Sequence, residues 1–357
     1  MFAPDRDSAD GSDIGDGDDM ERRSMLRSRG IAGIALGLTS ALVFGVGGAV
    51  VKPLLEAGWT PGAAAFARIG TGALIMIVPA LWAVHFDFGR IWRARRTVLM
   101  FSLFAIIATQ VAFYAAIATI PVSTALLIEY LAPVALVLVA WVRRRRAPHA
   151  VVLAGSLVAI VGLVLVIGPG GGALDPIGLL YAGIAMVGLC VYFAMGESGD
   201  ASVPPLTLAG CGFVIGAIVL GLLGLVGVLP FTAVFTDVGY FGTTAPWWVP
   251  VLTVGVLSTA FAYVSGISAI RMLGTRLASF LGLSEVVFAA IVAWMLLGEA
   301  ITPLQLLGGL AILGGIVLVR LEPNGGPSSA SAPVARDIGV EAVPVPRGSS
   351  PPPAPPA

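Results

Sequence analysis

The chain has 357 residues, 57% of them hydrophobic and 11% charged, with mean hydropathy +0.97 and twenty basic against twenty acidic side chains. Soluble domains carry about 25% charged residues, so this composition excludes a water-soluble globule, a disordered chain and, at zero net charge, a nucleic-acid-binding protein. Its two cysteines, Cys190 and Cys211, lie in apolar runs and exclude a secreted disulfide scaffold. What remains is an all-α integral membrane protein.

Residues 1–29 hold eight Asp/Glu and five Arg among Ser and Gly. They bury too little apolar surface to order themselves and read as a disordered cytoplasmic tail, with no signal peptide before it. Ten segments then reach the length of about 20 apolar residues that a spanning helix needs. They are 31–51, 62–84, 97–117, 121–142, 150–169, 177–196, 206–229, 247–270, 274–297 and 302–321. Residues 322–357, rich in Pro, Ala and Ser, read as a second disordered cytoplasmic tail. With the N-terminus inside, every basic residue except Lys52 and Arg68 falls on the cytoplasmic side, including Arg90 to Arg96 and Arg143 to Arg146. Both termini are therefore expected inside, in a multi-pass protein of the cytoplasmic membrane. The arginine clusters also suit anionic lipid.

Residues 110–166 fall on 263–319 without a gap when shifted by 153 positions. Val139-Ala140-Trp141 meets Val292-Ala293-Trp294, Gly155 meets Gly308, and Gly162 meets Gly315. The chain thus divides into a first repeat, 30–169, and a second, 177–321. Five helices is an odd number, so the second repeat is expected to be inverted in the membrane, which is a transporter architecture with its site near the midplane.

Charges at bilayer depth are expensive and mark candidate sites. Away from helix ends there are three: Arg68, Glu129 and Glu285. At 1.5 Å per residue they lie roughly 9, 12 and 18 Å from the outer surface. Arg68 and Glu129 are thus placed to pair, as a helix-locking salt bridge or as a substrate contact. Glu285, with no basic partner at its depth, is a candidate proton or ammonium site. Burial disfavours the charged form of a carboxyl, which suits either glutamate to proton exchange. Gln110 and Tyr114 share one face of the third span, and Ser258 and Tyr263 line the eighth. Tyr130 adjoins Glu129 and Ser284 adjoins Glu285. Each of these hydroxyls has the plainer alternative of bonding its own helix. Pro133, one turn past Glu129, predicts a kink or gate in the fourth span. Gly37, Ala41 and Gly45 form a ridge of small residues suited to packing within the bundle.

No catalytic constellation is present. The histidines lie at membrane boundaries, no cluster has metal spacing, and the glycine-rich stretch at 168–172 lacks the lysine of an ATP-binding loop. No cofactor, metal or ATP is expected, and no enzyme activity. The expected partners are a small-molecule substrate and membrane lipid, with the chain a monomer or homodimer.

Leu297-Gly298-Glu299, followed by Thr302-Pro303, Gln305 and Gly308, resembles the signature at the turn between the ninth and tenth helices of the EamA-type drug/metabolite transporter superfamily. Glu129-Tyr130-Leu131-Ala132-Pro133 is similar to its fourth-helix Pro segment, and Arg68 to an arginine common in its second helix. Leu257-Ser258-Thr259-Ala260, Thr275-Arg276 and Glu285 look nearest the threonine/homoserine exporter branch. Many members carry Pro after the ninth-helix glutamate, where this chain has Val286. The resemblance implies ten helices in two EamA repeats and a permease. The combined expectation is a secondary transporter exporting an amino acid or analogue by alternating access, with proton coupling through Glu129 or Glu285. A lipid or lipid-linked headgroup flippase and a small cationic drug exporter are the alternatives. Glu299 is expected to cap the tenth helix through its N-terminal amides.

Overall fold

The computed structural model describes residues 13–145, 149–167, 174–198, 203–240, 243–273, 278 and 281–320. The remainder of both tails and the 146–148 and 168–173 connections lie outside the described residues. The helices are α1 (Asp13–Glu56), α2 (Pro61–Ala83), a short α3 (Phe88–Arg93), α4 (Arg95–Ile117), α5 (Val122–Glu129), α6 (Ala132–Arg144), α7 (Ala150–Ile167), α8 (Pro176–Ser198), α9 (Pro205–Leu225), α10 (Trp248–Leu273), α11 (Ser284–Leu297) and α12 (Pro303–Arg320). Among the described residues seven helical segments are long and apolar enough to cross a membrane: Gly30–Glu56, α2, α4, Val122–Arg143, α7, α9 and α10. Pro176–Tyr192, α11 and Pro303–Val319 are shorter apolar helices in three of the ten expected segments.

Three features depart from the expectations. Residues 13–29, expected to be disordered, continue α1 as helical backbone. From Met20 to Arg29, eight of ten residues are Met, Glu, Arg or Leu, all good helix formers, and the stretch extends a helix already nucleated by the apolar span. A two-stranded antiparallel hairpin, β1 (Val238–Tyr240) and β2 (Thr243–Ala245), pairs Val238 with Ala245 in the connection between α9 and α10. That connection covers the start of α2: Trp59 Nε1 donates to the Val234 carbonyl at 2.8 Å, the Thr60 N–H donates to the Thr232 carbonyl, and the Thr232 N–H donates to Thr60 Oγ1 at 3.0 Å. Finally, the expected ninth span resolves into a turn at Leu283 followed by α11, so Glu285 stands in a first helical turn and not mid-helix.

The breaks have local causes. Pro133 has no N–H to give the Glu129 carbonyl, so the fourth span divides at Tyr130-Leu131. Near Leu283 there is no proline. Gly282 lacks a side chain, and the Ser284 hydroxyl donates to the Leu281 carbonyl at 2.5 Å, a Gly/Ser combination that kinks helices. Residue 130 shifted by 153 is 283, so the two turns are repeat-equivalent.

The same shift relates two wide turns. Phe101–Ala108 in α4 and Thr253–Phe261 in α10 are π-helical, and 101–108 falls on 254–261. It also relates the packing. α1 packs on α10 and α11, as α8 packs on α4 and on both halves of the fourth span, α5 and α6; α2 pairs with α9, and α7 with α12. In the last pair Gly155 faces Gly315 and Gly162 faces Gly308. A Cβ on Gly162 would stand 2.6 Å from the Gly308 carbonyl oxygen, and one on Gly308 2.6 Å from that of Gly162. Bare backbone against bare backbone is how membrane helices approach closely. Rising numbers on α7 meet falling numbers on α12, so the two equivalent helices run antiparallel.

Candidate functional site

The site begins at Arg68, on the inward face of α2 and only 8% exposed. Its Nε donates to Thr259 Oγ1 at 3.0 Å, Nη1 to the Tyr114 hydroxyl at 3.2 Å, and Nη2 to the Ser258 carbonyl at 3.1 Å. The wide turn of α10 prepares two of these acceptors. A π-helix widens the backbone ring, and here Thr259 Oγ1 donates five residues back to the Val254 carbonyl at 2.9 Å. That fixes the hydroxyl with an oxygen lone pair toward Arg68. One guanidinium therefore joins α2 and α4 of the first repeat to α10 of the second.

The expected Arg68–Glu129 salt bridge does not form; among the described residues the two ion pairs are Lys52–Glu299 and Arg90–Asp87. Similar depth does not guarantee a shared azimuth, and the guanidinium points toward α10. Glu129 remains within electrostatic reach of both Arg68 and Glu285. Glu285 accepts a hydrogen bond from the Tyr130 hydroxyl at 2.6 Å, so the two helix breaks touch each other through a tyrosine and a carboxyl. Both glutamates are half-buried. Gly45 of α1 lies against the backbone of Glu285 and Ala289, which gives the small-residue ridge its packing role beside the site.

Tyr263 is held edge-on between Phe44 and Phe213, at centroid distances of 5.3 and 5.2 Å, within reach of Arg68, Glu129 and Glu285. The Gln110 Oε1 and Ser258 Oγ atoms are buried without a hydrogen-bond partner among the described residues. Ser284 is not directed at the site, because its hydroxyl bonds its own helix at Leu281. Tyr192 of α8, absent from the sequence expectations, lies within reach of Tyr263 and Glu285 and stacks near Phe101 at 5.7 Å. Its only advance signal is a phenol in an apolar span. The assembled cluster is one cation, two carboxyls and several phenols and hydroxyls between the two repeats. It is equipped to hold a zwitterion and to exchange a proton. No group of three or more metal-ligating side chains occurs among the described residues.

Glu299 is a cap, but of a different helix. Its carboxylate accepts from the Val122 N–H at 3.0 Å, at the start of α5, and pairs with Lys52 Nζ at 2.5 Å. Helix α12 caps itself: Gln305 N–H donates to Thr302 Oγ1 at 3.2 Å and Thr302 N–H to Gln305 Oε1 at 3.0 Å, a capping box. Glu299 thus ties α1 and α5 of the first repeat to the α11–α12 turn of the second, and both charged side chains are largely buried (17% and 12% exposed). Glu299→Ala strands the Lys52 ammonium and the Val122 amide, and is expected to destabilise the protein by about 1–3 kcal/mol. A lowered thermal midpoint in detergent, largely restored by adding Lys52→Met, checks this. An unchanged midpoint would show that the clamp contributes nothing.

The sequence profile of the EamA-like transporter family matches residues 31–168 and 176–321. The threonine/homoserine exporter RhtA of Salmonella typhimurium is 29% identical over 290 residues, covering 78% of this chain and 89% of that protein. The Escherichia coli K12 protein of the same name is 28% identical over 293 residues, 77% and 88% of the two chains. An uncharacterized transporter of Archaeoglobus fulgidus is 26% identical over 232 residues, 64% of this chain and 78% of that protein. A solved crystal structure of 19% identity superposes with a TM-score of 0.53, covering 82% of this chain and 99% of its own, and shares the fold.

Proposed function

Since the chain belongs to the EamA-like transporter family, and is a multi-pass membrane transporter and not an enzyme, we propose that it exports a small zwitterionic metabolite, an amino acid or close analogue. The observation that carries this reading is the gathering of a buried Arg68 and the half-buried Glu129 and Glu285 into one cluster between the repeats. A guanidinium suits a carboxylate, and a carboxyl suits an ammonium or a proton. The relatives named threonine/homoserine exporters support the amino-acid end of the reading.

In this reading ten helices cross the membrane in two inverted five-helix repeats, 30–169 and 177–321, with both termini cytoplasmic. The antiparallel α7–α12 crossing and the repeat-equivalent breaks support it. Rocking of the repeats about the cluster gives alternating access, and a proton on Glu129 or Glu285 moves inward as substrate leaves. Both repeats are in one chain, so a monomer suffices.

The test is flux in proteoliposomes holding the full chain, with labelled L-threonine and L-homoserine and an imposed pH gradient. Accumulation driven by the gradient, with matching proton movement, is the expected result. Labelled phospholipid crossing the bilayer without solute flux would replace this reading with the flippase, and uptake of a lipophilic cation alone would replace it with the drug exporter.

A further inference from the structure

We infer that the site contains a carboxylate-binding notch, formed by Arg68 and Ser258 opposite Gly47, that holds the acidic end of the substrate; this deepens the amino-acid reading above and rests on it. Arginine carries five N–H groups. Three are engaged by Thr259, Tyr114 and the Ser258 carbonyl. The other two, one on each terminal nitrogen, have no acceptor among the described residues, and no described carboxylate pairs with Arg68. A guanidinium buried to this degree calls for an anion, and one N–H from each terminal nitrogen is what an end-on carboxylate takes.

Ser258 supplies the second observation. Its side chain is fully buried and its Oγ has no partner among the described residues, although its own carbonyl holds Arg68. Buried polar atoms are almost always satisfied, so an unpartnered hydroxyl beside an unpaired cation marks a place made for something else. The two groups meet at Gly47 of α1. A Cβ there would stand 3.4 Å from Ser258 Oγ and 3.6 Å from Arg68 Nη1. With no side chain at 47, α1 leaves one N–H donor, Arg68 Nη1, and one O–H donor, Ser258 Oγ, uncovered at this point, whereas a Cβ there would also press on Ser258 Cβ at 3.2 Å. Glu129 and Glu285, within electrostatic reach of Arg68, face the other end of an α-amino acid. The class of ligand is a molecule that bears a carboxylate, to the exclusion of simple amines and cationic drugs.

The experiment uses the purified full chain in proteoliposomes, with L-threonine counterflow challenged by L-threonine or by threoninol, in which an alcohol replaces the carboxylate. The wild type is expected to prefer threonine by at least about tenfold, since a site built for a hydrogen-bonding group rejects analogues lacking it. Ser258→Ala and Gly47→Ala are expected to weaken threonine and leave threoninol unchanged. Ser258→Ala keeps its thermal midpoint, because the hydroxyl holds no structural contact. Equal competition by threoninol, or unaltered discrimination in both variants, would overturn the notch while leaving the transport reading intact. If threonine shows no counterflow, the transport reading fails separately, and a thermal-shift series with acetate and 3-hydroxybutyrate decides the notch. Stabilisation of the wild type but not of Ser258→Ala upholds it; no stabilisation of either overturns it.

Discussion

Gly308→Val is expected to destabilise the folded protein by about 1–3 kcal/mol, whereas Gly314→Ala six residues along the same helix is expected to be neutral or mildly stabilising. A side chain at 308 would enter the backbone of α7. Its Cβ alone would stand 2.6 Å from the Gly162 carbonyl oxygen and 2.9 Å from the Val166 nitrogen. Neither of these can rotate aside as a side-chain tip does. Relief requires separating α7 from α12 along their whole crossing, which also strips Gly155 from Gly315. Overpacking a close-packed interface typically costs about 1–3 kcal/mol, and the upper end is roughly a hundredfold in the folded ratio. At Gly314 nothing lies within 4 Å of a built Cβ, and alanine is worth up to about 1 kcal/mol over glycine inside a helix. Yield of monodisperse protein on size exclusion, with the thermal midpoint, reads both. Equal behaviour of the two variants would mean that the two helices do not meet through these glycines.

Glu285→Gln is expected to uncouple transport from the proton gradient without unfolding the site. The amide oxygen can still accept from the Tyr130 hydroxyl, which now bonds the carboxylate at 2.6 Å, so the contact between the helix breaks is kept while the proton carrier is removed. Gradient-driven accumulation of threonine should disappear and flux should become independent of pH, while threonine exchange at equal concentration persists. Glu129→Gln tests the second carboxyl in the same assay. Its side chain faces both Arg68 and Glu285 electrostatically, so losing its charge should weaken substrate exchange as well as coupling. Should both variants accumulate threonine with wild-type pH dependence, neither glutamate carries the proton.

Much of this was legible before any coordinates, for physical reasons. A run of 20 apolar residues has few uses other than crossing lipid, so the expected segments fall on helices, seven of them long and apolar enough to cross a membrane among the described residues; α1 starts well before its segment and the fourth is split in two. Arg68, Glu129 and Glu285 stand out because an ionised group in such a run demands an explanation. What the sequence concealed was azimuth and long-range pairing. Arg68 and Glu129 lie at similar depth, yet the guanidinium turns to Thr259 and Ser258. The Pro133 break was readable because proline acts on its own helix. The break at Leu283 was not, because it comes from a glycine and a serine hydroxyl that are individually unremarkable. Glu299 was expected to cap the tenth helix next to it, but the amide it caps, that of Val122, is 177 positions away, beyond any local rule. Tyr192 offered only a phenol in an apolar span, with no charged residue beside it in sequence to single it out.

The wide turns of α4 and α10 bear on ancestry. Each holds one residue more in its hydrogen-bonded ring than an α turn would, and such an extra residue rotates everything beyond it by about 100°. Two unrelated insertions would have no reason to land on matching positions of two repeats. The irregularity is therefore older than the duplication. A half-length precursor already had it, and the amino acids around it have since diverged, with Gln110 in one copy standing where the other has Tyr263. The backbone defect was inherited twice, and the side chains around it were replaced independently in each copy.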